Sequence, residues 1–69
     1  MTNFQFAAIF TERRKQLQVT QEEIARHVGV SRAAVSKWEK GQSYPDIALL
    51  PKLATFFNIS IDALLGYEP

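Results

Sequence analysis

Residues 21–41 constrain the fold of this chain more than any other stretch. Gln21, Ala25, Gly29, Val35 and Trp38 fall at offsets that let two short helices cross over one tight turn. The run Gln21 to Val28 places Ile24, Ala25 and Val28 on one helical face, with Glu22, Glu23, Arg26 and His27 on the other. Ala25 is small where a second helix must pass close. Gly29 follows the last apolar residue, at the position where helices commonly end in a left-handed residue. Ser31 then offers a side-chain oxygen to the free amides of a new helix over residues 32–40, which Gly41 stops in the same way. On that second helix Val35 and Trp38 point inward together. Ala33, Ser36, Lys37 and Lys40 lie on the opposite side, and Arg32 projects from the first turn. The outer face is short, polar and cationic.

Two helices joined in this way form a helix-turn-helix, and a flat basic outer helix fits the major groove of DNA, where side chains meet base edges. A small helical bundle with a solvated lysine face satisfies the same pattern, because charged helix faces are usually solvated surface. The net charge is only +1, but its distribution is uneven. Residues 1–12 carry Glu12 alone, giving −1; residues 13–40 carry seven Lys/Arg against Glu22, Glu23 and Glu39, giving +4; residues 41–69 carry Lys52 against Asp46, Asp62 and Glu68, giving −2. A basic middle between acidic ends concentrates positive potential where phosphates would lie. The footprint is modest, so a monomer should bind weakly.

Outside this pair, a first helix is expected over about 4–17, starting at Asn3 or Phe4, with Phe6, Ile9, Phe10, Arg13 and Leu17 on one side. Thr20 is placed to cap the 21–28 helix, and Glu23 three residues on completes a capping box. Unpaired amides at that helix start can also seat a phosphate. The loop Gln42 to Pro45 leads to Asp46, read as the cap of a fourth helix over 47–57. Pro51 lies inside it and cannot donate the backbone bond of a mature turn, so the helix should begin irregularly and become regular from Pro51. Ser43 and Tyr44 can reach phosphates beside the second helix of the pair, or form no more than a solvated turn. Ser60 caps a last helix over 61–65 that Gly66 ends. Ile61, Leu64, Leu65 and Tyr67 supply more apolar surface than so short a segment needs. Part of it either faces a second subunit or closes the core.

Several function classes are excluded. At 69 residues there is room for one domain and one core, marginal by surface-to-volume scaling. With no cysteine and no histidine pair at metal spacing, neither disulfide nor metal can staple it, and no metal or cofactor is expected. No apolar run approaches the roughly 18 residues of a membrane span, and Met1 to Phe4 lacks the basic and apolar regions of a signal peptide. The expected setting is cytoplasmic. His27, the single histidine, reads as a solvent-exposed side chain. No nucleophile, base and acid constellation, paired carboxylates or glycine-rich phosphate loop is present, so the chain is not expected to be an enzyme.

The run T-Q-E-E-I-A-R-H-V-G-V-S-R-A-A-V-S-K-W-E-K-G, with proline at 45 and then I-S-I-D-A-L-L-G, resembles the Cro/CI (XRE) family of phage and bacterial regulators. The likeness covers about residues 6–66. Its Q-x3-A-x3-G-x5-V-x2-W-E-x-G spacing together with D-x-L-L-G is specific in combination. The resemblance implies an all-α, lambda-repressor-like domain of five short helices. It also implies a transcriptional regulator, a repressor by the family's habit, binding a two-fold symmetric operator in double-stranded DNA as a homodimer with helix 32–40 in the major groove. Two positions depart from the family pattern: Arg13 stands where leucine is usual, and Gln18 where glycine usually follows the first helix. Arg13 is then expected to snorkel past the core edge, and Gln18 to hold a left-handed conformation at a cost of about 1 kcal/mol. By the same resemblance Arg14 should pair with Glu39, tying the first helix to the recognition helix. Gln21 should touch the DNA backbone. Base contacts are expected from Arg32 to guanine, Ala33 to a thymine methyl, Ser36 by close approach, and Lys37 to a guanine acceptor or phosphate. Phosphate contacts are expected from Thr20, Gln21, Lys40, Ser43 and Tyr44, and a dimer interface from Ile61, Leu64 and Tyr67. So small a domain leaves no room for a small-molecule ligand. The alternatives are an antitoxin or adaptor-type protein-interaction module, or the DNA-binding domain of a longer regulator.

Overall fold

The computed structural model describes residues 5–67, and among them five α-helices and one short 3₁₀ turn account for the regular structure. In order these are α1 (Phe6–Leu17), α2 (Gln21–Val28), α3 (Arg32–Glu39), the 3₁₀ turn Ile47–Leu49, α4 (Leu50–Phe57) and α5 (Ile61–Leu65). The expected start at Asn3 or Phe4 lies outside the described residues, and Gln5 has non-helical backbone, so α1 opens at Phe6. Helix α3 ends one residue short of its expected limit, with Lys40 as its cap. The segment 47–57 is not one helix. Leu49 N donates to Asp46 O to close a 3₁₀ turn, Pro51 falls in the first turn of α4 where its missing donor costs nothing, and the Asp46 side chain makes no capping bond.

The helix ends follow local chemistry. Thr20, Ser31 and Ser60 each accept a bond from the amide three residues on, capping α2, α3 and α5. At the C-termini of α1, α3, α4 and α5 a left-handed residue turns the chain so that paired amides return to the last carbonyls, as where Gly41 N reaches Trp38 O and Gln42 N reaches Lys37 O. Two of these residues are not glycine: Gln18 and Asn58 both hold φ 58°. Gly66 is the position that permits least. Its φ is +75°, and a Cβ there would stand 2.9 Å from Ile9 Cδ1 and 3.2 Å from Gln5 Cβ. That close approach brings the end of α5 onto the start of α1, where Gln5 N donates to Leu65 O at 3.1 Å.

The core gathers Phe6, Phe10, Ile24, Ala25, Val28, Val35, Trp38, Leu53, Ala54, Phe57 and Leu64. Phe10 is its hub, meeting Trp38 and Phe57 edge-on with ring centroids 5.9 and 5.4 Å apart, and Phe6 at 5.3 Å. Aromatic rings from three helices thus do the work of a staple. Arg13 is exposed, in keeping with a side chain that passes the core edge, whereas Leu17 is a correction: it was expected on the core side of α1 and is half exposed. Helix α5 is only five residues long and seats over the start of α1, so it does not cover the last turn. Leu64 is a second correction. It is fully buried in the monomer, so it belongs to the core and not to an intersubunit surface.

Candidate nucleic-acid interface

Helices α2 and α3 are fixed against each other by small and apolar residues on their inner faces, Ala25 and Val28 on one and Val35 and Trp38 on the other, all buried. Gly29, at φ +80°, makes the turn between them. With the inner faces committed, the outer face of α3 is left to Arg32, Ala33 and Lys37, all exposed, with Lys40 exposed just beyond. Ser36 is half-buried between them, which limits its reach to a close partner.

At the start of α2, Glu23 N donates to Thr20 Oγ1 at 3.0 Å and Thr20 N donates to Glu23 Oε1 at 2.8 Å. Both halves of the capping box are therefore made. The amides of Gln21 and Glu22 precede the first intrahelical bonds, so an anion would find donors there. Glu22 is drawn along the helix toward Arg26 at 3.4 Å, an exposed pair. In the loop after α3, Ser43 is half-buried, whereas Tyr44 is largely exposed with its ring 6.1 Å from that of Phe6.

Arg14 and Glu39 form the best-buried ionic contact among the described residues, with side chains 17% and 9% exposed. Arg14 Nε donates to Glu39 Oε2 at 2.5 Å, Nη2 to Oε1 at 3.2 Å, and Nη1 to the carbonyl of Val19 at 3.0 Å. This two-pronged geometry joins α1, the turn after it and the end of α3. Glu39 also accepts from Gln21 Nε2 at 3.0 Å, and Gln21 Oε1 in turn accepts from Arg32 Nη1 at 3.1 Å. Gln21 thus lies between two charged side chains. Its carbonyl oxygen faces outward to Arg32, so its free backbone amide, more than that oxygen, suits a phosphate. Sequence reading assigned Gln21 and Arg32 to DNA separately and missed their contact, because eleven residues separate them and only the helix crossing brings them together.

A second feature escaped sequence reading. Tyr44, Pro45, Ile47, Leu50 and Leu65 line an open apolar groove beside the loop that follows α3. Ile47 is 79% exposed there. The sequence signal was the cluster of apolar residues in a loop otherwise marked by Gly41, Gln42, Ser43 and Asp46. Of the residues expected at a subunit interface, Ile61 and Tyr67 are exposed. His27 is exposed as expected, its ring 4.8 Å from that of Phe56. Among the described residues no helix is long and apolar enough to cross a membrane, and no group of His, Asp or Glu is arranged to hold a metal ion.

Comparison with known proteins identifies this geometry. The HTH-type transcriptional activator BcrR of Enterococcus faecalis is 43% identical over 63 residues, covering 86% of this chain and 31% of that protein. The chain thus spans less than a third of this relative's length. A transcriptional regulator from Listeria innocua matches with a TM-score of 0.94 at 34% identity, over 99% of this chain and 64% of that one. The P22 c2 repressor, crystallised with a synthetic operator, matches with a TM-score of 0.84 at 32% identity, over 91% of this chain and 96% of that one. A helix-turn-helix family profile matches residues 11–64. The chain belongs to the Cro/CI-type (XRE) helix-turn-helix family of DNA-binding transcriptional regulators.

Proposed function

We propose that this chain reads a specific sequence in double-stranded DNA by laying α3 in the major groove, and that it does so as a two-fold dimer on a symmetric operator. The observation that carries this reading is the outer face of α3: Arg32, Ala33, Lys37 and Lys40 stand exposed on a helix held rigidly from behind by Val35 and Trp38. The likeness to the P22 c2 repressor in its operator complex supports the same orientation. Arg32 is assigned to guanine, Ala33 to a thymine methyl, and Ser36 and Lys37 to neighbouring base edges. Thr20, the backbone amide of Gln21, Lys40, Ser43 and Tyr44 are assigned to phosphates, which set register and carry no sequence information.

For the dimer, we assign Ile61 and Tyr67 together with Ile47 and the half-buried Leu50 and Leu65 that line the groove beside it, since apolar side chains as exposed as Ile47, Ile61 and Tyr67 favour a partner. Two copies so joined would present their recognition helices about 34 Å apart, one turn of DNA. Regulation by occupying an operator makes repression the simpler outcome, although BcrR is an activator. The greater length of that relative also supports a reading in which this domain is the DNA-binding part of a longer regulator. The setting that fits is the cytoplasm, where the DNA lies.

Selection from a random duplex library at about 0.15 M salt tests the proposal, because binding at low salt is dominated by phosphates. The expected result is a palindrome with half-sites about one helical turn apart. Recovery of no motif, with binding that disappears as salt rises, would overturn it in favour of a protein-interaction module.

A further inference from the structure

Arg14, Glu39, Gln21 and Arg32 form an unbroken chain of hydrogen bonds that begins on α1 and ends on the outer face of α3. The chain has a direction. A carboxylate paired with a guanidinium only accepts, so Gln21 must turn its NH₂ toward Glu39 and its carbonyl oxygen away. That outward oxygen is what Arg32 Nη1 finds at 3.1 Å. With the amide reversed, NH₂ would meet guanidinium, donor against donor, and Arg32 would be released. An ion pair serving only to join α1 to α3 would need neither Gln21 nor Arg32.

We propose that Glu39 is a positioning residue for sequence recognition: without touching DNA, it fixes the direction of the Gln21 amide, and the amide oxygen holds the Arg32 guanidinium ready for a base. Use of Nη1 by Gln21 leaves the Nε and Nη2 edge of Arg32, a side-on pair of donors that matches the O6 and N7 acceptors of guanine. A guanidinium held in place before binding loses less freedom when it docks. The inference rests on the reading of Arg32 as a base contact and adds that its specificity is set from a partly buried carboxylate behind the contact face.

The test measures affinities of the full chain, as wild type, R32A and E39Q, for the selected operator and for operators changed at each position in turn. R32A identifies the position that Arg32 reads. E39Q keeps the shape of the side chain but no longer dictates the amide's direction. It should lower discrimination at that position by about 2- to 10-fold, with the salt dependence and the other positions unchanged. Nitrogen relaxation at Arg32 Nε, measured without DNA, should show the guanidinium loosened in E39Q. Unchanged discrimination in E39Q, or an equal loss at every position, would overturn the proposal. Should E39Q fail to fold, Gln21→Met leaves the Arg14 and Glu39 pair in place and must produce the same position-specific loss, or the proposal is wrong. If R32A itself alters no single position, the base-contact reading fails and this inference with it.

Discussion

Arg32 and Lys40 lie at opposite ends of the same cationic face, yet they should fail differently when removed. Arg32 presents a planar fork at the start of α3, and Arg32→Ala should cost about 1–3 kcal/mol at one base pair while leaving the others alone. Lys40 caps the end of the helix, where its charge also suits the helix dipole. Lys40→Ala should weaken all sequences alike and lower the slope of log affinity against log salt by about 1, measured by titration at several salt concentrations. A uniform loss from Arg32→Ala would remove its assignment to a base. At this scale the sequence was only partly legible. The exposure of Arg32, Ala33 and Lys37 follows from a helical wheel once Val35 and Trp38 are placed inside. The Arg14 and Glu39 contact came from family likeness, since twenty-five residues of chain carry no sign that two charges will meet. The link from Gln21 to Arg32 depends on how closely α2 and α3 cross, which no single-helix pattern encodes.

Helix ends were the most legible part of the fold, because each is decided by a few adjacent residues. Thr20, Ser31 and Ser60 cap as their side chains dictate, and Pro51 splits 47–57 where its missing amide requires. Burial was less legible at Leu17 and Leu64. A periodic stripe says which way a side chain points but not whether another helix is there to meet it. Gln18 offers a test of a helix end. It holds φ 58°, a conformation that strains most side chains. Gln18→Gly should therefore stabilise the fold by about 0.5–1 kcal/mol, seen as a Tm higher by roughly 2–8 °C in a thermal melt. Asn58→Gly, at the same φ, should gain less because asparagine tolerates this region. Equal gains would mean that the backbone conformation is not what limits Gln18. At the other end of a helix, Thr20→Ala removes the oxygen that receives Glu23 N and should cost about 0.5–2 kcal/mol by chemical denaturation.

The molecule as a whole is small, with principal extents of 32 × 24 × 22 Å, and one copy offers few phosphate contacts. In the two-fold dimer proposed above, useful affinity at physiological salt would come from two copies acting together. In a two-fold contact each residue counts twice, so Ile47→Ser should cost the dimer roughly 3 kcal/mol or more while sparing the fold, given that Ile47 is 79% exposed. Sedimentation and operator titration check this: half-site affinity should persist while joint occupancy of the palindrome is lost. Persistence of the dimer in that variant would move the interface away from the groove. The bond from Gln5 N to Leu65 O reaches beyond stability. It places the entrance and exit of the fold at one corner, so a further module spliced before or after would hang from the same point. Cutting the chain in the 42–46 loop and bridging residues 5 and 67 with a short peptide should give a permuted protein that retains its shape. Order along the chain, for this architecture, is a matter of where the ring is opened.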